Sequence, residues 1–256
     1  MFQINTQVFL SSSDENGALR FDAAMDMMQD CSVLWTETES TFKQYLIDNN
    51  LVMILVNRQA DVIRMPLYKE KLAVQTTIYE CKGAFGMRNT VIYDEEHKPC
   101  VVSWATGAFV SIDTARPFRL PREINDSITI DPKIDMEYLG RRIDVPGAEG
   151  KTIQAGAETE NGFLFLPPLA VTSLDIDINR HMNNGRYIKI AMGFLNDDFV
   201  ISRFRVEYKK PAVKNDQLYP IIKLHPVIKH SDPDRIYILL TDKNGEQYAV
   251  MEFWGK

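Results

Sequence analysis

The sequence predicts an α+β protein in which one order of elements occurs twice. In the first half, a helix over residues 21–37 and a shorter one over 41–49 come before four long strands. In the second half, a helix over 185–196 comes before four more strands. Helices followed by runs of consecutive strands favour antiparallel sheets, so we expect two similar α+β repeats.

The two main helices are predicted from apolar side chains that recur at spacings of three and four residues. In the first helix these are Ala24, Met27, Met28, Cys31, Leu34 and Trp35, with Asp22 as the expected N-cap. In the second they are Tyr187, Ile188, Ala191, Met192 and Leu195. One apolar stripe on each helix indicates packing against a sheet.

Alternating and β-branched runs predict the strands. The predicted ranges are 2–9, 52–64, 71–80, 87–93 and 101–112, then 201–209, 218–224, 236–241 and 247–254. Short matches between the halves favour a duplication: residues 64–66 resemble 209–211, and 93–96 resemble 241–244. Residues 113–168 between them are rich in proline, glycine and charge, which is typical of a linker that crosses a surface.

Composition excludes several classes of protein. The 256 residues are 45% apolar and 25% charged, with a net charge of −6, which argues against a general nucleic-acid binder. The three cysteines have no C-x-x-C spacing, so neither a disulfide framework nor a structural zinc site is expected. The densest apolar run, 163–171, is too short to span a membrane and contains two prolines. A reducing cytoplasm is the expected compartment, since the N-terminus also lacks a secretory signal.

Residues 175–187 concentrate the reactive side chains. Asp175, Asp177, Asn179 and His181 occupy every second position, which predicts four polar groups on one face of an extended segment. A helix then begins near Asn184, and N–H groups at a helix N-terminus can bind an oxyanion. A base, an amide and such a terminus together favour acyl-group chemistry. The chain has no G-x-S-x-G, H-E-x-x-H, G-x-G-x-x-G or Walker A string, which removes several other enzyme classes.

The D-x-N-x-H-x-N-N string resembles the diagnostic motif of the acyl-acyl-carrier-protein thioesterases, whose plant members release fatty acids in plastids. Further matching stretches follow in order along the chain: 27–29, 57–59, 103–104, 116–121 and 207–208. The resemblance implies two tandem hot-dog repeats, each a long helix wrapped by an antiparallel sheet. It places an acyl-chain pocket in an N-terminal repeat (1–115), a linker at 116–160 and catalysis in a C-terminal repeat (161–256). The chain starts at its first strand without a transit peptide, so it looks like a bacterial, cytoplasmic relative.

One departure from the plant pattern affects the expected mechanism. Plant members carry Glu-Cys after the Glu-Tyr dipeptide and two basic residues, whereas this chain has Pro211 and Ala212 there. A cysteine nucleophile at that position is therefore impossible, and water is the expected nucleophile.

The catalytic residues implied by the motif are Asp177, Asn179 and His181. We expect Asp177 to activate or orient water, Asn179 to position the water or the carbonyl, and His181 to act as base or polarise the carbonyl. Backbone N–H groups at the start of the Asn184 helix are the expected oxyanion donors. The sequence leaves open which of Asp177 and His181 takes the proton. It implies no cofactor and no metal.

The neighbouring polar residues have structural alternatives. Asn183 and Asn184 fit helix caps and turn formers better than catalysts, and Asp175 fits either a loop hydrogen bond or the site. Glu207 fits a paired or solvated carboxylate better than a replacement for the missing glutamate, which is the alternative.

The expected partner is acyl carrier protein with a phosphopantetheine-linked fatty acyl chain, bound to a monomer or homodimer. Because that partner is acidic, a basic patch is needed. The sequence offers residues 116, 119 and 122, or 141 and 142, or 209, 210 and 214, without favouring one. The alternative functions are a hot-dog dehydratase, an acyl-CoA thioesterase and a non-catalytic acyl-thioester-binding protein.

Overall fold

The computed structural model describes residues 1–148, 162–225 and 234–256. Within these ranges the chain forms two compact units, Met1–Leu139 and Gly140–Lys256. Each unit is built from a helix and an antiparallel sheet, which confirms the predicted α+β class. In the described part of the chain, no helix combines the length and apolar character needed to cross a membrane.

The first unit has five strands and three α-helices. They are β1 (Phe2–Gln7), α1 (Phe21–Thr38), α2 (Ser40–Asp48), β2 (Leu51–Val62), β3 (Lys71–Lys82), β4 (Phe85–Tyr93), β5 (Pro99–Ser111) and α3 (Arg122–Asp126). The strand order is β1-β3-β4-β5-β2, with antiparallel neighbours throughout. α1 packs on the face of this sheet formed mainly by β3 and β4.

The second unit repeats that arrangement with a shorter helix. Its elements are β6 (Phe163–Phe165), β7 (Leu169–Ala170), α4 (Asn184–Met192), β8 (Ile201–Tyr208), β9 (Gln217–His225), β10 (Arg235–Thr241) and β11 (Gln247–Gly255). The strand order is β6-β9-β10-β11-β8, and β7 pairs with the start of β9. Each strand occupies the position of its counterpart in the first unit, as the predicted duplication requires.

Two equivalent turns, one in each unit, have the same pattern of hydrogen bonds. In the β4–β5 turn, Asp94 Oδ1 accepts the N–H groups of Glu96 and Lys98. In the β10–β11 turn, Asp242 Oδ1 accepts the N–H groups of Asn244 and Glu246, which are again two and four residues further along the chain. Both turns also pass through the left-handed region at their fourth residue, His97 (φ 59°) and Gly245 (φ 82°). The short sequence match at these positions thus marks a shared turn geometry.

The start of α1 differs from the sequence prediction. Arg20, rather than Asp22, occupies the N-cap position, and it makes no side-chain cap. Asp22 lies inside the first turn, where its buried carboxylate accepts a hydrogen bond from Arg20 Nε at 3.1 Å. The carboxylate still lies near the positive end of the helix dipole, so Asp22 favours the start of the helix without being its N-cap. Met28, Cys31 and Trp35 are buried as predicted, whereas Leu34 is exposed.

Two buried arginines fix α1 to its sheet. Arg58 on β2 donates to the carbonyl of Met25 at 3.2 Å, and Arg88 on β4 donates to that of Ser32 at 3.0 Å. The Arg88 guanidinium also lies 4.8 Å from the centre of the Trp35 ring. Burial, followed by repulsion from Arg58, lowers the pKa of Arg88 to about 10.

The chain after β5 packs along the first unit. Gln59 Nε2 donates to the carbonyl of Glu137 at 2.8 Å, and its Oε1 accepts the N–H of Leu139 at 3.1 Å. The Tyr138 hydroxyl donates to Asn89 Oδ1 at 2.9 Å. Of the predicted linker 116–160, the part up to 139 therefore lies against this sheet, and residues 149–160 lie outside the described ranges.

Candidate active site

The D-x-N-x-H string forms a tight hairpin between β7 and α4. The Asp177 N–H donates to the carbonyl of His181 at 2.9 Å, and Ile176 pairs with Met182. At the tip, the Arg180 N–H donates to the carbonyl of Asp177, and Arg180 has a φ of 63°. We call residues 176–182 the catalytic hairpin, after the three residues in it that the sequence predicts to be catalytic.

The predicted extended segment is therefore wrong. The Asp177 side chain accepts the N–H of Asn179 at 2.8 Å, a local bond that favours a turn over a strand. The hairpin nevertheless brings two of the three predicted catalytic residues together. Asp177 and His181 are directly opposite across it, and opposite residues of an antiparallel pair have their side chains on the same face. Asn179 lies at the tip, and both Asn179 and His181 are exposed.

Asp177 is less exposed than Asn179 and His181. It is partly buried. Burial raises the pKa of the Tyr187 phenol to about 12, and the negative charge of Asp177 adds to this rise. The Tyr187 oxygen in turn accepts the N–H of Ala212 at 2.8 Å. The carboxylate thus lies near the first turns of α4.

Asp175 supports the loop. Its Oδ2 accepts the N–H of Thr172 at 2.8 Å and the hydroxyl of the same residue at 2.7 Å. Its carbonyl accepts the N–H of Asn183 at 2.9 Å. Of the two roles that the sequence left open for Asp175, the structure shows the loop hydrogen bond.

The N-terminus of α4 is partly occupied by its own cap. Asn183 is the N-cap, and its Oδ1 accepts the N–H of Gly185 at 2.9 Å, which confirms the structural role predicted for it. The Arg186 N–H donates to the carbonyl of Asn183. Within the described ranges, the first N–H of the helix, that of Asn184, has no partner. Among the backbone N–H groups predicted to bind an oxyanion, that of Asn184 is available to accept this role.

Pro211 and Ala212 connect the hairpin to the helix through backbone atoms. The carbonyl of Ala212 accepts the Met182 N–H at 2.8 Å, and its N–H donates to Tyr187. Ala212 is fully buried. The position that carries cysteine in plant relatives therefore anchors the catalytic hairpin here.

Glu207 is a buried, paired carboxylate. One oxygen accepts the N–H of Ile143, and the other forms a salt bridge with Lys209. Neither partner belongs to the hairpin, and both oxygens are engaged, in line with the interpretation of Glu207 as a paired carboxylate.

The cysteines are poor nucleophiles. Burial raises the pKa of Cys31 and of Cys81 to about 11, and it also raises that of Cys100. A thiol with a raised pKa is protonated at neutral pH and reacts slowly. Among the described residues, no three His, Cys, Asp or Glu side chains converge as metal ligands.

Comparison with known proteins identifies the family of this chain. The model of the acyl-ACP thioesterase N-terminal domain matches residues 1–128, and that of the C-terminal domain matches 164–252. The chain belongs to the acyl-ACP thioesterase family. It is therefore a thioester hydrolase that acts on fatty acyl-ACP, as the motif in its second half predicted.

Solved structures show the same tandem hot-dog fold. An acyl-ACP thioesterase from Bacteroides thetaiotaomicron is 19% identical with a TM-score of 0.80, covering 99% of this chain and 97% of its own. The 12:0-ACP thioesterase from Umbellularia californica is 16% identical with a TM-score of 0.76, covering 100% and 93%. No curated protein matches the chain in sequence. The predicted hot-dog architecture of this thioesterase is confirmed.

The sequence missed one feature of the site. Tyr187 was assigned to an apolar stripe, yet its buried hydroxyl holds the Ala212 N–H. The signal in the sequence that indicates this role is the residue type itself. A buried phenol normally finds a hydrogen-bond partner.

Proposed function

We propose that this thioesterase cleaves its substrate by direct attack of a water molecule activated on the catalytic hairpin. The observation that carries the proposal is the cross-hairpin pairing of Asp177 with His181, which lies three residues before the first residue of α4. Asn179 at the tip supplies an amide that can orient the water or the carbonyl. These three residues form the proposed catalytic set.

The proposed reaction begins with attack of the water oxygen on the thioester carbonyl carbon. One proton of the water passes to His181 or Asp177, and the carbonyl oxygen becomes an oxyanion that the Asn184 N–H stabilises. Collapse of this intermediate breaks the C–S bond. The phosphopantetheine sulfur leaves as a thiolate or, with the abstracted proton, as a thiol, and the acyl group leaves as the free fatty acid.

We also propose that the acyl chain binds in the first unit. Support comes from α1, which directs Met25, Met28 and Trp35 into the interior of that unit. Methionine adapts to irregular apolar ligands because its side chain is flexible and polarisable.

A reducing cytoplasm is the proposed compartment, and the three unpaired cysteines agree with it. The assembly is proposed to be a monomer or a homodimer of the 29.4 kDa chain, and light scattering distinguishes the two.

The test is thiol release from fatty acyl-ACP by wild type and two variants. We expect His181→Asn and Asp177→Asn each to lower kcat by about 100-fold or more, as for loss of a general base or its partner. His97→Asn and Asp197→Asn are matched controls, since both residues are exposed and neither belongs to the hairpin. Unchanged kcat in both hairpin variants would overturn the assignment.

A further inference from the structure

A groove beside the catalytic hairpin combines exposed apolar side chains with two cations that form no salt bridge to any described residue. It is a cavity of about 650 Å³ between the loop after β7 and the outer face of α4. Its main lining residues are Leu174 and Asp175 on the loop, and Arg186, Lys189, Ile190 and Phe194 on or just after the helix. We call it the α4 groove.

The walls of the α4 groove are fixed by the same bonds that shape the site. Asp175 holds the loop through Thr172, and the Asn183 N–H ties that loop to the helix start. On α4, the opposite face carries the buried Tyr187, Ile188 and Ala191. The groove face is therefore held in position by the packing of the other face, and a partner meets a preformed surface.

The charge of the groove is opposite to that of the whole protein. The chain has a net charge of −6, yet Arg186 and Lys189 lie one helical turn apart on the groove face. Among the described residues, neither forms a salt bridge. The one lining carboxylate, Asp175, already accepts two hydrogen bonds through Oδ2.

The apolar groups of the groove are accessible. Leu174 is 83% exposed, and Leu169 at the same wall is 38% exposed. Ile178, at the adjoining hairpin, is 97% exposed. Large apolar side chains next to free cations are typical of a surface that binds a protein, and here they fit a partner that presents carboxylates beside apolar residues.

We propose that the α4 groove is the docking surface for the acidic face of acyl carrier protein. This inference rests on the proposed function, because the docked partner must deliver its thioester to the adjoining catalytic hairpin. Arg186 and Lys189 attract and orient the acidic surface, and Leu174 supplies apolar contact. The three basic clusters found in the sequence at 116–122, 141–142 and 209–214 are not part of this groove.

The test compares one acyl chain on two carriers. The double variant Arg186→Glu/Lys189→Glu is assayed with the acyl group on acyl carrier protein and on N-acetylcysteamine. We expect KM for the protein-bound substrate to rise about 100-fold, roughly tenfold for each reversed charge, with KM for the small thioester unchanged. Added salt should reduce the difference in KM for the protein-bound substrate between wild type and the double variant, because salt screens the charges. Lys82→Glu/Lys243→Glu, at two exposed lysines outside the groove, is the control matched for net charge.

Direct binding of unacylated holo acyl carrier protein separates docking from catalysis. We expect the double variant to lose affinity for this probe by a similar factor, and Leu174→Ser to lose it without a change of charge. An equal rise of KM for both substrates, an equal effect of Lys82→Glu/Lys243→Glu, or unchanged affinity of the groove double variant would each overturn the docking proposal. If wild type binds the probe but hydrolyses neither thioester, the proposed reaction fails and the docking surface stands.

Discussion

Tyr187 shows how one hydroxyl supports the candidate site. Its oxygen accepts the buried Ala212 N–H, and the Ala212 carbonyl holds the hairpin at Met182. The pKa of the phenol is raised to about 12, chiefly by burial, so the group is neutral at any pH at which the protein would work. Its role is that of a hydrogen-bond acceptor for the backbone.

Tyr187→Phe should destabilise the second unit because the Ala212 N–H loses its acceptor. An unsatisfied buried N–H costs about 1–3 kcal/mol, and we expect a loss of that size in urea unfolding. Tyr219→Phe, at a half-buried tyrosine of the same unit, is the matched control. Equal stability of the two variants would show that the bond contributes nothing.

Arg64 governs the acid stability of the first unit. Its guanidinium bonds Glu70 and Asp94 at 2.8 Å each and lowers the pKa of both carboxyls. A lowered pKa in the folded state stabilises the protein above the unfolded values of 4.5 and 3.8, and this contribution is lost as pH falls through the folded values.

Arg64→Met should therefore lower Tm at pH 7, and the difference from wild type should shrink as pH falls below about 4.5. Thermal unfolding from pH 7 to pH 3 measures this difference. A gap that stays constant down to pH 3 would contradict the ionic origin, because it would point to lost packing alone.

Helix α4 links capping to chemistry at the scale of a single element. Asn183 caps the Gly185 N–H, and the neighbouring Asn184 N–H is the donor that we assign to the oxyanion. The cap therefore fixes the direction of the donor as well as the helix start. α4 has only nine residues, so a lost cap affects a large part of it.

Asn183→Ala should cost about 1 kcal/mol of stability and lower kcat, whereas Asn183→Ser should retain most of both because serine also caps. Urea unfolding and thiol release on the same samples measure the two effects. If Asn183→Ala lost stability but kept full activity, the cap would not be needed to position the oxyanion donor.

Most elements could be predicted from the sequence, because apolar periodicity is strong in the long strands and in α1. The catalytic hairpin could not. Alternating polar residues look extended, yet the Asp177 side chain captures a backbone N–H and Arg180 adopts a positive φ. The Asp177 and His181 assignments came from the motif, and their pairing came only from the structure. The α4 groove was missed because its second wall is a loop that no spacing reveals.

The two units share one topology and differ in their helices. Equivalent strands occupy equivalent positions, and the turns at Asp94 and Asp242 repeat the same hydrogen bonds. α1 has 18 residues against nine in α4. A duplication followed by this divergence is consistent with the proposed division between acyl-chain binding and catalysis.

If the acyl chain binds in the first unit, Met28→Phe should shift the preference toward shorter chains. We expect the ratio of kcat/KM for long and short acyl-ACP to fall about tenfold or more, since a hydrophobic pocket discriminates roughly 10–200-fold for one methylene. Met251→Phe is the control, because Met251 is equally buried on β11 of the second unit. The same shift in both variants would contradict the assignment.

The central claim is that Asp177 and His181 act as one unit to activate water. A double-mutant cycle on acyl-ACP hydrolysis tests it, with Asp177→Asn, His181→Asn and the combined variant. The account predicts that the combined variant is no slower than the slower single variant, because residues that act together lose their function once. Independent factors that multiply in the combined variant would contradict it.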